Sequence, residues 1–167
     1  MSMTMIGARD GESVWLGGLG VRFLIGGDQT GGRFALVEHP IAPRALAAPT
    51  HVHQHEDEYT LVLEGRIGVR IGDEERVAGP GDLVFKPRGV PHAFWNAGDE
   101  WARALELISP AGFERYFAEI APFLPPAVEA PLGEKLAGVR ARYGLTMDMA
   151  SISVLVERHG LRYGKAD

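Results

Sequence analysis

Between about residue 13 and about residue 109 the apolar positions come in short runs or in alternation. Gly, Pro, Asp or Asn cuts off each run. The segments SVWLGG, VRFLIGG, GRFALVEHPI, YTLVLEG, RIGVRIG, RVAGPG, DLVFKP, HAFWNAG and RALELIS each carry the pattern of a strand or strand end. No helix-length pattern lies between them. Gly72-Asp73, between RIGVRI and EERVAG, has the composition of a tight hairpin turn, and Gly26-Gly27 through Gly31-Gly32 marks another. The pattern predicts an all-β domain over residues 1–110, built as an antiparallel sandwich or barrel.

After Ser109 the period changes. Ser109 followed by Pro110 reads as a helix N-cap and first helical residue, with Phe113, Tyr116, Phe117 and Ile120 at helical spacing behind them. APFLPPAVEAP is a proline-rich stop and linker. Leu132, Leu136, Val139 and Tyr143 form a second apolar stripe. Ile152, Leu155, Val156 and His159 form a third, closed by Gly160. Residues 111–167 are therefore expected to be a helical C-terminal extension, packed on the β domain or across a dimer. A DNA-binding module is disfavoured, because this region holds seven Lys or Arg against seven Asp or Glu and so lacks a basic surplus for phosphates.

The bulk composition narrows the function. A net charge of -5 gives no global attraction to nucleic acid or anionic membrane. The chain has no cysteine, which excludes disulfides, thiolate metal sites and a cysteine nucleophile. The start, MSMTMIGARD, lacks the basic and apolar regions of a signal peptide, and no stretch has the length and apolarity to span a bilayer. A cytoplasmic protein is expected. The edges of an antiparallel sandwich need protection, and the three helical stripes add apolar surface, so a homodimer is expected as well.

Chemistry concentrates in THVHQHEDEYTLVLEG. His51, His53 and His55 alternate, which places three imidazoles on one face of a strand, and Glu56, Asp57 and Glu58 follow at once. The spacing is His51-x-His53-x4-Glu58-x6-Gly65; downstream, GDLVFKPRGVPHAFWN reads Gly81-x5-Pro87-x-Gly89-x2-His92-x3-Asn96. Together these resemble the two signature motifs of the cupin superfamily, over about half the chain. Ala45 stands six positions before His51, where the family pattern often has Gly.

The resemblance implies a cupin jelly roll and one metal held by His51, His53, Glu58 and His92. Two histidines and a carboxylate suit non-heme Fe(II) with open positions for substrate and O2. With His92 as fourth ligand, one divalent transition metal per chain is expected, iron first, with Mn, Ni, Cu or Zn also compatible. His55 shares the strand parity of the other two. The family pattern favours His51 and His53, because only that pair leaves four residues before Glu58, and His55 is read as a surface residue or a support behind the ligands. Asn96 is read as bonding a turn or supporting the site from behind. Glu56 and Asp57 are read as solvated turn residues, and His39 and His159 as non-functional.

By strand parity Phe94 shares a face with His92 and should sit near the metal; Phe34 and Leu36 are candidate opposite walls of a substrate pocket. The resemblance to quercetin dioxygenase-type cupins implies an oxygenase acting on a small, largely apolar, enol- or phenol-type substrate, with Glu58 as both ligand and proton acceptor. A metal-assisted isomerase or lyase, or a non-enzymatic small-molecule binding module, remain the alternatives.

Overall fold

The computed structural model describes residues 5–124 and 133–164. In chain order the elements are β1 (Ser13–Leu16), β2 (Leu19–Ile25), α1 (Gly27–Thr30), β3 (Ala35–Ile41), β4 (Leu46–His53), β5 (Asp57–Glu64), β6 (Ile67–Ile71), β7 (Glu74–Ala78), β8 (Leu83–Lys86), β9 (His92–Asn96) and β10 (Ala102–Ser109). There follow α2 (Glu114–Ile120), a 3-10 turn (Ala121–Phe123), α3 (Gly133–Arg142), β11 (Leu145–Met147) and α4 (Ser151–His159). Leu132 of the second stripe, and most of the proline-rich linker, lie outside the described residues. No described helix is long and apolar enough to cross a membrane.

The strands form two antiparallel sheets, as the alternation implies. One runs β1-β2-β3-β10-β5-β8 and the other β11-β4-β9-β6-β7. Their inner faces share a core that includes Val21, Val37, Ile41, Val62, Ile67 and Ile108. The order interleaves strands distant in sequence, which is jelly-roll connectivity. Gly72 and Asp73 do join β6 to β7, while the β2–β3 connection turns through the short α1, closed by Gly31 in the left-handed region.

Two expectations about the C-terminal region change. Ser109 does not cap a helix: it is the last residue of β10, opposite Asp57 of β5, and its hydroxyl donates to the Arg33 carbonyl. Pairing with a neighbouring strand outweighs the local capping signal, and the helix begins at Glu114. Nor is the extension purely helical, because β11 pairs with β4 and extends the five-stranded sheet. The third stripe forms α4, which covers the outer face of that sheet: Leu155 is fully buried against Leu46, Ala93, Trp95 and Leu161. Gly160, at φ 60°, ends the helix as its left-handed cap.

Candidate metal centre and its cavity

Two turns deliver the site. After His53 ends β4, the chain bends at Gln54 and His55 and enters β5 in the opposite sheet, so Glu58 faces back toward the histidines across the sandwich. The second turn, Pro87 to Val90, leads from β8 to β9. Gly89 is at φ 75°, where a Cβ is strained, and its N–H donates to the His53 carbonyl at 2.8 Å. That bond ties the second motif to the first. It delivers His92, whose strand position pairs with His51.

One ligand atom from each of His51, His53, Glu58 and His92 lies within 4.8 Å of the others, and all four side chains are buried. Nδ1 of His51 lies 2.8 Å from the Pro49 carbonyl and Nδ1 of His92 lies 3.0 Å from the Val90 carbonyl. A carbonyl only accepts, so each Nδ1 carries the proton and each Nε2 presents its lone pair. Burial holds both imidazoles below their ordinary range, with the neighbouring His92 and His53 depressing His51 further and Lys86 depressing His92. Neutral histidines are the metal-binding form. Nε2 of His53 and of His92 have no hydrogen-bond partner among the described residues. Converging, buried nitrogens without a hydrogen-bond partner beside an ionised carboxylate fit a divalent transition metal and are costly without one.

Behind the cluster lies a charge network that the motifs do not announce. Lys86 is buried with its Nζ 2.9 Å from Glu58 and 2.8 Å from Glu106, and Thr60 donates to Glu106 at 2.8 Å. Burial alone would raise Glu58, but Lys86, His53 and His92 outweigh it and hold the carboxyl well below its usual range. Burial would likewise lower Lys86, and its two carboxylates raise it instead. Glu106 is pushed up to about 6 by burial, against the pull of Lys86. Glu106 alternates with Ala102, Ala104 and Ile108, which gave a parity signal for the core. Lys86 shares the inward face of β8 with Val84, but Leu83 and Phe85 make the outward face equally apolar, so parity gave no signal there.

The other candidates separate. His55 is exposed beyond the end of β4 and is not part of the cluster. Glu56, read as a solvated turn residue, is instead buried, with Oε2 3.6 Å from Nδ1 of His53, an ion-pair approach too long for a hydrogen bond. Asn96 is fully buried and binds turns: its amide donates to the carbonyls of Ile41, Ala42 and Glu100, and its oxygen accepts from Gly98. Phe94 faces the site, with Lys86 Nζ 4.8 Å from its ring centroid. Phe34 and Leu36 do not. They line a shallow groove on the outer face of the six-stranded sheet, because Ala35, Val37 and His39 hold the inward positions of that segment and Leu36 alternates with them.

The true walls come from elsewhere. A cavity of about 880 Å³ opens over the cluster, with His51, His53, Glu58, Lys86 and Glu106 at its polar end. Trp15, Phe94, Trp101, Phe113, Tyr116, Phe117 and Phe123 supply aromatic lining. The ring of Phe113 stands edge-on to His53 at 4.2 Å between centroids, so the segment leading into α2 roofs the metal site directly. The helical extension thus builds the cavity as well as packing on the sandwich.

The structure is a jelly roll in which three histidines and a carboxylate converge between the sheets in an arrangement that could hold a metal ion. Residues 38–108 match the family model of the cupin domain. The chain is similar to KdgF from Halomonas sp., with 16% identity and a TM-score of 0.60 over 68% of this chain and 99% of that one. It is similar to the polyketide cyclase RemF from Streptomyces resistomycificus, with 29% identity and a TM-score of 0.55 over 65% of this chain and 80% of that one. A sugar phosphate isomerase from Silicibacter pomeroyi gives 25% identity and a TM-score of 0.54 over 64% of this chain and 75% of that one. No curated protein sequence matches the chain.

Replacing Lys86 with Met leaves two buried carboxylates without their cation, and should cost about 3–5 kcal/mol at neutral pH. Both carboxyls would then sit above their unfolded values, so the deficit grows as pH rises through their folded pKa values and shrinks on acidification. Adding Glu106→Gln should recover part of the loss. Urea denaturation of the single and double variants across pH checks this; a deficit independent of pH contradicts the network.

Proposed function

We propose that this protein is a metal-dependent enzyme acting on a small, largely apolar, oxygenated molecule of enol or phenol type, with dioxygenation as the leading reaction. One observation supports it above the others: His51, His53 and Glu58 of the cluster lie at the polar end of a cavity whose remaining wall is mostly aromatic and aliphatic, with Arg140 also on it. The volume lies in the range of roughly 300–1,000 Å³ usual for small-molecule sites. A divalent metal held by the four cluster residues, iron first, would supply Lewis acidity and, for a redox-active ion, O2 activation. The residues themselves divide the remaining work. Aromatic walls exclude water and orient a flat ligand, and Lys86 keeps Glu58 ionised.

A second reading is a ring closure or isomerisation that uses the same site without oxygen. The likeness to the polyketide cyclase RemF at 29% identity favours it. Oxygen uptake by the metal-reconstituted protein, screened with enols and catechols, separates the two: turnover that consumes O2 supports dioxygenation, and product formation without O2 uptake supports the second. The same preparation tests Glu58. In Glu58→Gln, metal content should fall modestly while turnover per bound metal falls on the order of a hundredfold. Full activity per bound metal would leave Glu58 a ligand only, and a protein that binds ligands but turns none over would be a binding module.

We also propose a homodimer, formed by a second copy against the outer face of the six-stranded sheet. Its edge strand β8 exposes Leu83 at 65% and Phe85 at 48%, beside the groove lined by Phe34, Leu36, Tyr59 and Leu61. A twofold axis would place this self-complementary patch against itself. Light scattering should give the mass of two chains at micromolar concentration, falling to one chain in Leu83→Lys. A monomer mass for the unaltered protein contradicts it.

A further inference from the structure

His39 lies on the inward face of β3 and is no part of the metal cluster; its side chain is buried and its ring lines the cavity. Nδ1 is 3.0 Å from the Gly20 carbonyl. The carbonyl has no proton to give, so Nδ1 carries the hydrogen, and in a neutral ring Nε2 is left as a bare acceptor. Burial holds the imidazole down to about 4; the Gly20 carbonyl pulls the other way, the Lys86 charge adds to the lowering, and Glu58 and Glu38 oppose it. The ring is therefore neutral at neutral pH. No hydrogen bond from a described residue reaches Nε2. Around the ring stand Phe94, at 6.1 Å between centroids, and Phe117, at 5.6 Å. An acceptor on the cavity wall that meets no donor from a described residue, set among aromatic rings, is complementary to a hydroxyl carried on a flat apolar ligand.

We propose that His39 is a ligand-binding residue whose Nε2 accepts a hydrogen bond from a ring hydroxyl of the substrate, at a point separate from the metal cluster. The proposal rests on the reading of this cavity as a site for oxygenated aromatic molecules, and narrows it. The substrate carries a hydroxyl beyond the oxygen directed at the cluster, and an analogue without that proton leaves His39 unpaired.

Two substitutions separate this role from a merely structural one. Asn at position 39 keeps an amide N–H near the place of Nδ1, and so keeps the bond to Gly20 while deleting the Nε2 acceptor. Gln loses that bond but puts an amide near the place of Nε2. The probes are 2-naphthol and 2-methoxynaphthalene, which differ in the donor proton, with dissociation constants measured on metal-loaded and chelator-treated protein. The unaltered chain should prefer 2-naphthol by about three- to tenfold, the scale of one net hydrogen bond, with or without metal. His39→Asn should abolish the preference and leave the ether's affinity unchanged, while His39→Gln retains part of it. A preference that survives in His39→Asn, or that vanishes with the metal instead, overturns the assignment and leaves the aromatic-ligand reading standing. So does equal binding of both probes, the result expected if only water meets Nε2. Failure of both probes to bind overturns both readings.

Discussion

Everything at the polar end of this sandwich depends on one constraint: three imidazoles and a carboxylate are held, buried, between two sheets. Such a group is tolerable only if each member is fixed in the protonation state that attracts its neighbours. The backbone does this for His51 and His92, whose Nδ1 protons are given to carbonyls two residues earlier in the chain. Lys86 does it for Glu58 from the other side. The result is an arrangement of lone pairs and negative charge with a single complementary guest, a cation.

The same constraint explains the local chain path. His51 and His53 must face Glu58 across the sandwich, so the chain changes sheets within residues 54–56, leaving His55 exposed and Glu56 buried against His53. The turn that brings His92 is bonded to the His53 carbonyl through Gly89, so the two motifs are one mechanical unit. Phe113, set just before α2, completes the enclosure by packing on His53. The C-terminal region is thus joined to the chemistry through β11, which extends the sheet carrying the histidines, and through the aromatic roof over the cavity.

The strands and the four cluster residues were legible in the sequence because both are written in local spacing: a two-residue period, and fixed gaps around His and Glu. Phe94 was legible for the same reason, since it alternates with His92. Phe34 and Leu36 were misplaced because alternation gives two faces without naming the inner one; Val37 and His39 hold it here. Lys86 and Glu106 escaped because each is tolerable in the core only beside the other, and their strands are brought together by the fold, not by the chain. The capping signal at Ser109 misled because strand pairing, also non-local, decides where β10 ends.

If this buried cluster is a metal site, calorimetric titration of a divalent transition metal into chelator-stripped protein will show it. Saturation should come near one ion per chain, protons should weaken binding only as the pH falls below the ordinary histidine range, because burial holds His51 and His92 down, and binding should be lost in His51→Ala but not in His55→Ala. Absence of saturable binding, or binding that survives in His51→Ala and disappears in His55→Ala, would contradict the metal-site reading.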